Sequence, residues 1–378
     1  MKIAVFEYFT GGGLSDGDLN PDLILEGYAM FHSVVQDLQK GGHSILTTID
    51  QRLITRITIN PEIVVSVSSN REFRKKILTL STEAEAFLVI APERYLSDLI
   101  QICSKSCSLS LNSEPNTIKE VANKACFFNV LKEQGVSIPE TKCFSKTCEI
   151  DEIAGAAEQI GYPLVVKPSV GSGCEGLSIV KTKNQLNNAC KIAKIVDIKG
   201  EFLIQNFFNG ESVSVSLLVS ENSVTPISLN SQFIMLESPK NLSKYYGGVV
   251  PFDHELKSQA IKLAKHVISY FPGLKGYIGV DLVLTKSKPI ILEINPRVTV
   301  SYLGLSRVSN INLGQGMLDT FLRKTPKINL NGVCYFVKSS MPHNLPPFAN
   351  PKDLELVCNP IYSKESTQSF IIATQKLI

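Results

Sequence analysis

Short β-prone runs alternate with an amphipathic stretch along the first third of the chain. Residues 3–6, 44–48, 63–67 and 87–90 have the length and composition of buried strands. Between the first two, apolar residues recur at helical spacing, at Leu23, Ile24, Gly27, Phe31, Val34, Val35 and Leu38. Strands that alternate with helices are typical of a parallel sheet covered by helices, so we predict an N-terminal α/β domain ending near residues 112–115.

A second region joins a predicted helix to a strand and a glycine-rich loop. Helical periodicity predicts one helix over residues 117–134, with Lys124 among apolar neighbours. The strand over residues 162–168 carries Lys167 near its end and leads into the glycines of residues 171–176. A lysine above such a loop suits a polyphosphate, because backbone amides and an ammonium group then meet the same anion.

Three interpretations of this loop compete, and spacing separates them. A P-loop needs a lysine where Leu177 stands. Gly171, Gly173 and Gly176 match a dinucleotide-binding pattern, which requires a helix to follow. Residues 177–180 are instead β-prone, which predicts a glycine hairpin that closes as a flap over phosphates. A glycine-rich surface hairpin that binds no ligand is the alternative to all three.

The strand that follows indicates an adenine pocket. It ends at Gln205 and runs into Asn206, Phe207 and Phe208, with Glu211 close behind. Backbone groups of this segment can meet the adenine edge, and a phenylalanine can form an apolar wall. Glu211 is the candidate for the ribose hydroxyls. Both phenylalanines are equally compatible with a place in the core.

Polar residues stand at the ends of two apolar strands in the last third of the chain. Asp281 follows one apolar run, and Glu293, Asn295 and Arg297 alternate along the next, after a turn-like segment at 286–288. Residues two apart on a strand share a face, so one face of this predicted antiparallel hairpin carries the chemistry. Carboxylate and amide oxygens suit Mg²⁺, and Arg297 would meet substrate charge. The alternative is a hairpin whose acids are solvated or paired with lysines.

Composition narrows the class of protein. The chain has 378 residues, 44% hydrophobic and 19% charged, with a net charge of +3. This indicates a globular protein of two or three domains, and nucleic acid is not an expected partner. No apolar run reaches the roughly 18 residues of a membrane helix. The nine cysteines lack Cys-x-x-Cys spacing, so we expect reduced thiols in a cytoplasmic protein.

In chain order, these candidates resemble the nucleotide site of the ATP-grasp ligases, the superfamily of D-alanine:D-alanine ligase and biotin carboxylase. The resemblance covers about residues 1–310. It implies that Lys124 and Lys167 contact phosphates or adenine, and that the loop containing Ser172 is a lid. It also implies that Arg297 steadies an oxyanion. The cofactors would be ATP and two magnesium ions, with Mn²⁺ as an alternative metal, held by Asp281, Glu293 and Asn295.

The implied architecture has four segments. An N-terminal α/β domain covers residues 1–115, an ATP-grasp lid subdomain 116–200, and a C-terminal ATP-grasp subdomain with the metal site 201–330. The last segment, 331–378, is expected to cap the sheet or to form a homodimer contact.

A closer resemblance is carried by residues 6–13, 228–232 and 245–248, which are similar to segments of the tyramine:L-glutamate ligases of methanofuran and methylofuran biosynthesis. It implies that the glutamate γ-carboxylate is activated as an acyl phosphate and joined to the tyramine amine, with release of ADP and phosphate. Candidate contacts for the amino acid come from motif neighbourhood alone and are equally compatible with turn or capping roles: Thr10, Asn230, Gln232 and Ser301.

Some features depart from the family, and other functions stay open. Asn123 and Asn206 stand where acidic residues are usual, and Ser212 stands where the ribose carboxylate often lies. An ATP-grasp ligase for another carboxylate and amine shares every ATP motif. A nicotinamide-dependent dehydrogenase would use the loop glycines but leaves Asp281 and Glu293 without a role. A non-catalytic ATP-binding protein is the remaining alternative.

Overall fold

Three β-sheets organise the structure, a computed structural model that describes residues 1–171, 173–197, 200–340, 354–361 and 368–376. Every strand pair in the first sheet is parallel. Every pair in the other two is antiparallel. The predicted fold class, a parallel α/β domain followed by a two-part α+β fold, is confirmed.

The first sheet is built from alternating strands and helices. Its elements are β1 (Lys2–Glu7), α1 (Pro21–Lys40), β2 (Ser44–Asp50), β3 (Ile63–Val67), α2 (Asn70–Glu83), β4 (Ala86–Ile90), α3 (Glu93–Cys103) and β5 (Leu109–Ser110). The strand order is β3-β2-β1-β4-β5. Because the strands are parallel, Glu7 at the end of β1 and Glu93 just after β4 lie at the same edge of this sheet.

The second sheet holds four strands in the order β6-β9-β7-β8. The elements of this region are α4 (Pro115–Ala122), α5 (Lys124–Glu133), β6 (Thr141–Phe144), α6 (Ile150–Ile160), β7 (Leu164–Pro168), β8 (Ser178–Val180), α7 (Lys183–Val196) and β9 (Phe202–Asn206). Helices α6 and α7 pack on it through a separate apolar core that includes Ile153, Leu186 and Phe202.

The prediction of one helix over residues 117–134 is wrong. Helix α4 ends at Ala122 and α5 begins at Lys124. Between them Asn123 has an extended backbone (φ −80°, ψ 102°), and its side-chain oxygen accepts a hydrogen bond from the backbone N–H of Cys126. Asparagine favours this capping position over a helix interior. The break makes Lys124 the first residue of a helix rather than a mid-helix lysine.

The third sheet has eight strands in the order β14-β13-β10-β11-β12-β15-β17-β16. The elements of this region are β10 (Glu211–Val219), β11 (Val224–Met235), β12 (Lys244–Val250), α8 (Lys257–Ile268), β13 (Gly276–Leu284), β14 (Pro289–Asn295), α9 (Tyr302–Val308), α10 (Leu313–Phe321), β15 (Val333–Lys338), β16 (Glu355–Cys358) and β17 (Ser369–Gln375). The register of β13 and β14 shifts directly after Asp281, and such bulges are frequent beside active sites.

Strand pairing crosses two of the predicted segment boundaries. Strand β9 lies beyond residue 200 but pairs with β6 and β7, so by pairing it belongs with the lid strands. Strands β15 to β17 lie beyond residue 330 and extend the eight-stranded sheet from β12. The prolines at 342, 346 and 347 lie outside the described residues. No helix within the described ranges has the length and apolarity to cross a membrane.

Candidate functional site

A cavity of about 380 Å³ lies between the four-stranded and eight-stranded sheets. Strands β7 and β9 and the flap line one side, and strands β10 to β14 line the other. Most of the residues proposed from the sequence meet here: Lys124, Lys167, Gly171, Gly173, Gln205, Asn206, Phe207, Phe208, Gln232, Asp281, Glu293, Asn295, Arg297 and Ser301. Residues as far apart in the sequence as Lys124 and Ser301 therefore line one cavity.

Two lysines from different elements define a cationic corner. The Nζ of Lys124 lies 3.2 Å from the Glu293 carboxylate and donates a hydrogen bond of 3.3 Å to the carbonyl of Gly171. Lys167 lies near the end of β7, and its Nζ is 5.3 Å from the centre of the Phe128 ring. Burial, reinforced by the charge of Lys124, lowers the pKa of Lys167 from 10.5 to about 7. An anion such as a phosphate group would stabilise the charged form of Lys167 and offset the free-energy cost of burying it.

Two acids lie side by side opposite the lysines. Asp281 and Glu293 are direct partners in the β13–β14 hairpin. The Asp281 carboxylate accepts hydrogen bonds from the amides of Gln232 (3.1 Å) and Asn295 (2.9 Å). Burial and then the neighbouring Glu293 raise the pKa of Asp281 to about 8. Burial alone would raise the pKa of Glu293, but the positive charges of Lys124 and Lys167 hold it below its ordinary value.

The donor set in this corner fits a hard divalent cation. Two adjacent carboxylates repel each other, and a cation held there would offset the part of the raised Asp281 pKa that comes from Glu293. The described residues contain no group of three His, Cys, Asp or Glu side chains placed to hold a metal. The set is therefore two carboxylates and the Asn295 amide, which suits Mg²⁺ because that ion keeps several water and phosphate ligands.

The glycine-rich loop forms a hairpin rather than a dinucleotide motif. Strand β8 follows it and pairs antiparallel with β7, so the helix that the dinucleotide motif requires is replaced by a strand. Gly173 and Gly176 have positive φ values of 64° and 72°. A Cβ at Gly176 would also come within 2.9 Å of the Val196 side chain. A glycine is therefore favoured at position 176 by the backbone conformation and by close packing. Gly176 does not line the cavity. Ser172 lies outside the described residues.

The segment after β9 forms the other end of the cavity. Gln205 is buried, and its amide donates a hydrogen bond of 2.7 Å to the Thr141 hydroxyl. Phe207 and Phe208 are only partly buried and line the cavity, so they are not core residues. Glu211 is exposed and does not line the cavity, whereas Ser212 next to it does. The structure therefore gives no support to the ribose role of Glu211.

Arg297 connects the cavity to the N-terminal sheet. Its Nε lies 2.7 Å from the carboxylate of Glu93, the first residue of α3, and its side chain is 12% exposed. This ion pair raises the pKa of Arg297 in spite of burial. The sequence pattern places Arg297 beside the candidate metal ligands but gives no sign of Glu93, because only the packing of the two sheets brings Arg297 and Glu93 together.

Two of the four proposed amino-acid contacts do not reach the cavity. Thr10 has no exposed surface, and its N–H and hydroxyl both donate to the buried Glu7 carboxylate at 2.7 Å. Asn230 is equally buried, with its amide donating to the hydroxyls of Ser214 and Ser216. These side chains stabilise local structure. Gln232 and Ser301, the other two, do line the cavity.

The cavity also has lining residues that sequence reasoning missed. Glu26 reaches it from α1, Cys174 from the flap and Tyr245 from β12. One feature of the sequence could have drawn attention to Glu26: it is a charged residue between Leu25 and Gly27, both of which are buried in α1. No short-range pattern distinguishes Tyr245 from any other strand tyrosine.

Residues 121–301 match the family model of the ATP-grasp domain. The antiparallel lid, the acidic hairpin and the lysine corner all lie within this range, and the match identifies residues 121–301 as an ATP-grasp domain. The likeness to solved structures agrees on the fold. The chain superimposes on biotin carboxylase from Campylobacter jejuni with a TM-score of 0.76 at 14% identity, covering 100% of this chain and 88% of the other. A putative ATP-grasp protein from Archaeoglobus fulgidus gives 0.65 at 22% identity, with both chains fully covered.

The chain is also similar to particular curated proteins. It is 26% identical over 334 residues to the tyramine–L-glutamate ligase of Methanocaldococcus jannaschii, which covers 87% of this chain and 92% of that protein. The protein of the same name from Methanocaldococcus fervens is 41% identical over 104 residues, or 28% of this chain and 33% of that protein.

Proposed function

We propose that this ATP-grasp carboxylate–amine ligase joins the γ-carboxylate of L-glutamate to the amine of tyramine, with release of ADP and phosphate. The observation that carries the proposal is the convergence of Lys124, Lys167, Asp281, Glu293 and Arg297 on one cavity. The choice of substrates is supported by the likeness to a tyramine–L-glutamate ligase over most of both chains.

The lysine corner is proposed to bind the ATP phosphates. A buried ammonium group gains most from a multiply charged anion, because little water competes for either partner. The partly buried Phe207 and Phe208 are proposed to form an apolar wall for the adenine ring at the other end of the cavity. In this proposal the γ-phosphate lies towards the acidic hairpin, because Lys124 is 3.2 Å from Glu293.

Asp281, Glu293 and Asn295 are proposed to hold magnesium. When bound, magnesium neutralises phosphate charge and so permits an anionic carboxylate to approach. Attack of a carboxylate oxygen on the γ-phosphate forms the new oxygen–phosphorus bond, breaks the bond to ADP and gives an acyl phosphate. The amine, once its ammonium group has lost a proton to bulk water, then attacks the acyl carbon through its nitrogen. Phosphate leaves with the electrons of the broken carbon–oxygen bond and takes up the second proton that the nitrogen loses.

Arg297 is proposed to stabilise the negative oxygen that forms during amine attack. The Glu93 ion pair fixes the guanidinium before the substrates arrive, so little reorganisation is needed in the transition state. The flap excludes water, which would otherwise hydrolyse the acyl phosphate.

A mass-spectrometric screen tests the proposal. The protein is incubated with ATP, Mg²⁺, L-glutamate and a panel of amines that includes tyramine. We expect γ-glutamyltyramine together with ADP. An amide formed only from another amine or another carboxylate would refute the substrate pair, and the absence of an amide from every pair would refute the ligase activity.

A further inference from the structure

One wall of the cavity has no role in the ATP and metal chemistry. Glu26 on α1 is part of this wall. Its other residues are largely apolar: Leu177, Ile234 and Leu236, with Tyr245. Ile234 and Tyr245 are direct partners across β11 and β12. The residues of this wall differ from those proposed to bind adenine, Gln205 to Phe208, so a substrate other than ATP could bind against it.

The Glu26 carboxylate is held in place but not saturated. Its Oε1 accepts a hydrogen bond of 2.6 Å from the Nζ of Lys338 on β15, a lysine that is 6% exposed. Among the described residues, none donates a hydrogen bond to Oε2. A Cβ built on Gly173 would lie 3.8 Å from Oε2, so this oxygen faces the glycine flap. A fixed carboxylate oxygen with spare acceptor capacity at a cavity wall is suited to a cation.

Glu26 borders the same space as the acidic hairpin. Cys174 of the flap feels the charges of Glu26, Glu293 and Asp281, which add to burial in raising the pKa of its thiol. The Tyr245 pKa is raised by burial and then by Glu26 and Asp281. Glu26, Asp281 and Glu293 all line one cavity, so a small molecule bound at Glu26 shares that cavity with the acidic hairpin.

We propose that Glu26 binds the ammonium group of the amine substrate, with the apolar body of that amine against Ile234, Leu236 and Tyr245. This inference rests on the proposed ligase activity. The amine is favoured over the carboxylate substrate because the lining named above is largely apolar. An aromatic amine can bury its ring there, whereas glutamate would have to bury two carboxylates on the same apolar surface.

The chain provides a matched control for a Glu26 variant. Asp22 is one turn earlier on α1 and is the second acidic neighbour of Lys338, at 3.8 Å. Its side chain is 49% exposed and does not line the cavity. Glu26→Gln and Asp22→Asn each remove one negative charge beside the same lysine, but only the first changes the cavity wall.

The test compares the Michaelis constants of both variants with those of the unaltered protein. For Glu26→Gln we expect the KM for tyramine to rise about tenfold or more, as loss of a charge-assisted hydrogen bond predicts, with unchanged KM for ATP and glutamate. Asp22→Asn should leave all three constants unchanged. A tyramine KM that stays the same in Glu26→Gln, or a rise confined to glutamate, would overturn the proposal.

Two further measurements separate this site from a structural role and from a failure of the proposed function. Hydroxylamine is uncharged at neutral pH and traps acyl phosphates as hydroxamates. Glu26→Gln should therefore form hydroxamate at the rate of the unaltered protein, and an equal loss with both nucleophiles would refute an amine subsite.

A calorimetric titration with tyramine measures binding at this site without turnover. Weaker binding to Glu26→Gln than to the unaltered protein would support the proposed amine site. Equal binding to both proteins, or binding to neither, would refute it. Absence of amide and hydroxamate from the unaltered protein would instead refute the ligase activity.

Discussion

Replacement of Lys167 by methionine tests the cationic corner most sharply. Methionine keeps the length and apolar volume of the side chain but removes its charge. A fall in the Lys167 pKa from 10.5 to about 7 corresponds to about 5 kcal/mol of unfavourable free energy for the buried ammonium. ATP phosphates would offset this cost, so binding of ATP should return the Lys167 pKa towards its ordinary value.

The sign of the pH effect follows from this shift. In the free protein Lys167 is largely neutral above pH 7, and at pH 8 only about one-tenth of the molecules carry the charge. ATP binding at pH 8 should therefore take up close to one proton, and ATP affinity should weaken as the pH rises from 7 to 8. Lys167→Met should take up no proton there and bind ATP roughly 10 to 100 times more weakly at pH 6, where the natural lysine is charged.

Calorimetry in two buffers with different ionisation enthalpies measures the proton uptake directly. Lys194→Met is the matched control, because the Lys194 Nζ also lies 5.3 Å from a phenylalanine ring, that of Phe202, but outside the cavity. We expect that control to behave as the natural protein does. Equal proton uptake by Lys167→Met and the natural protein, or unchanged ATP affinity in Lys167→Met, would refute the reasoning.

Three other variants probe the rest of the site. Glu293→Ala should abolish amide formation measured by mass spectrometry, because it removes one of the two carboxylates for the metal, and near-normal turnover would contradict the metal assignment. Arg297→Lys keeps the charge but loses the planar fork, so kcat should fall about 100-fold with little change in KM for ATP. If instead KM for ATP rises and kcat holds, Arg297 binds ATP. Arg94→Ala removes the 3.0 Å ion pair with flap residue Glu175. That pair is partly exposed and worth at most about 1 kcal/mol, so the ratio of phosphate to amide should rise by no more than about fivefold. An unchanged ratio would show that this pair does not hold the flap.

Local patterns predicted the arrangement of the polar residues on the β13–β14 hairpin. Glu293, Asn295 and Arg297 alternate on one strand, and a short turn brings Asp281 beside them, so a few neighbouring residues determine the arrangement. The flap was predictable for the same reason, since β-prone residues follow the glycines without a long gap.

Contacts between distant segments were not predictable in this way. Glu93 reaches Arg297, and Glu26 reaches the cavity, only because the parallel sheet packs against the antiparallel one. The substrate roles proposed for Thr10 and Asn230 gain no support, because both side chains are buried away from the cavity and donate to neighbouring groups, the Glu7 carboxylate and the Ser216 hydroxyl. A single capping residue, Asn123, was enough to divide a helix whose apolar periodicity appeared continuous.

Transfer of oxygen from the carboxylate to phosphate tests the central claim most directly. Glutamate labelled with ¹⁸O in its γ-carboxylate is incubated with the protein, ATP, Mg²⁺ and tyramine, and the products are measured by mass spectrometry. An acyl phosphate requires ADP as the nucleotide product, one ¹⁸O atom in the released phosphate and one in the amide. Release of AMP and pyrophosphate, or unlabelled phosphate accompanying the amide, would contradict the account.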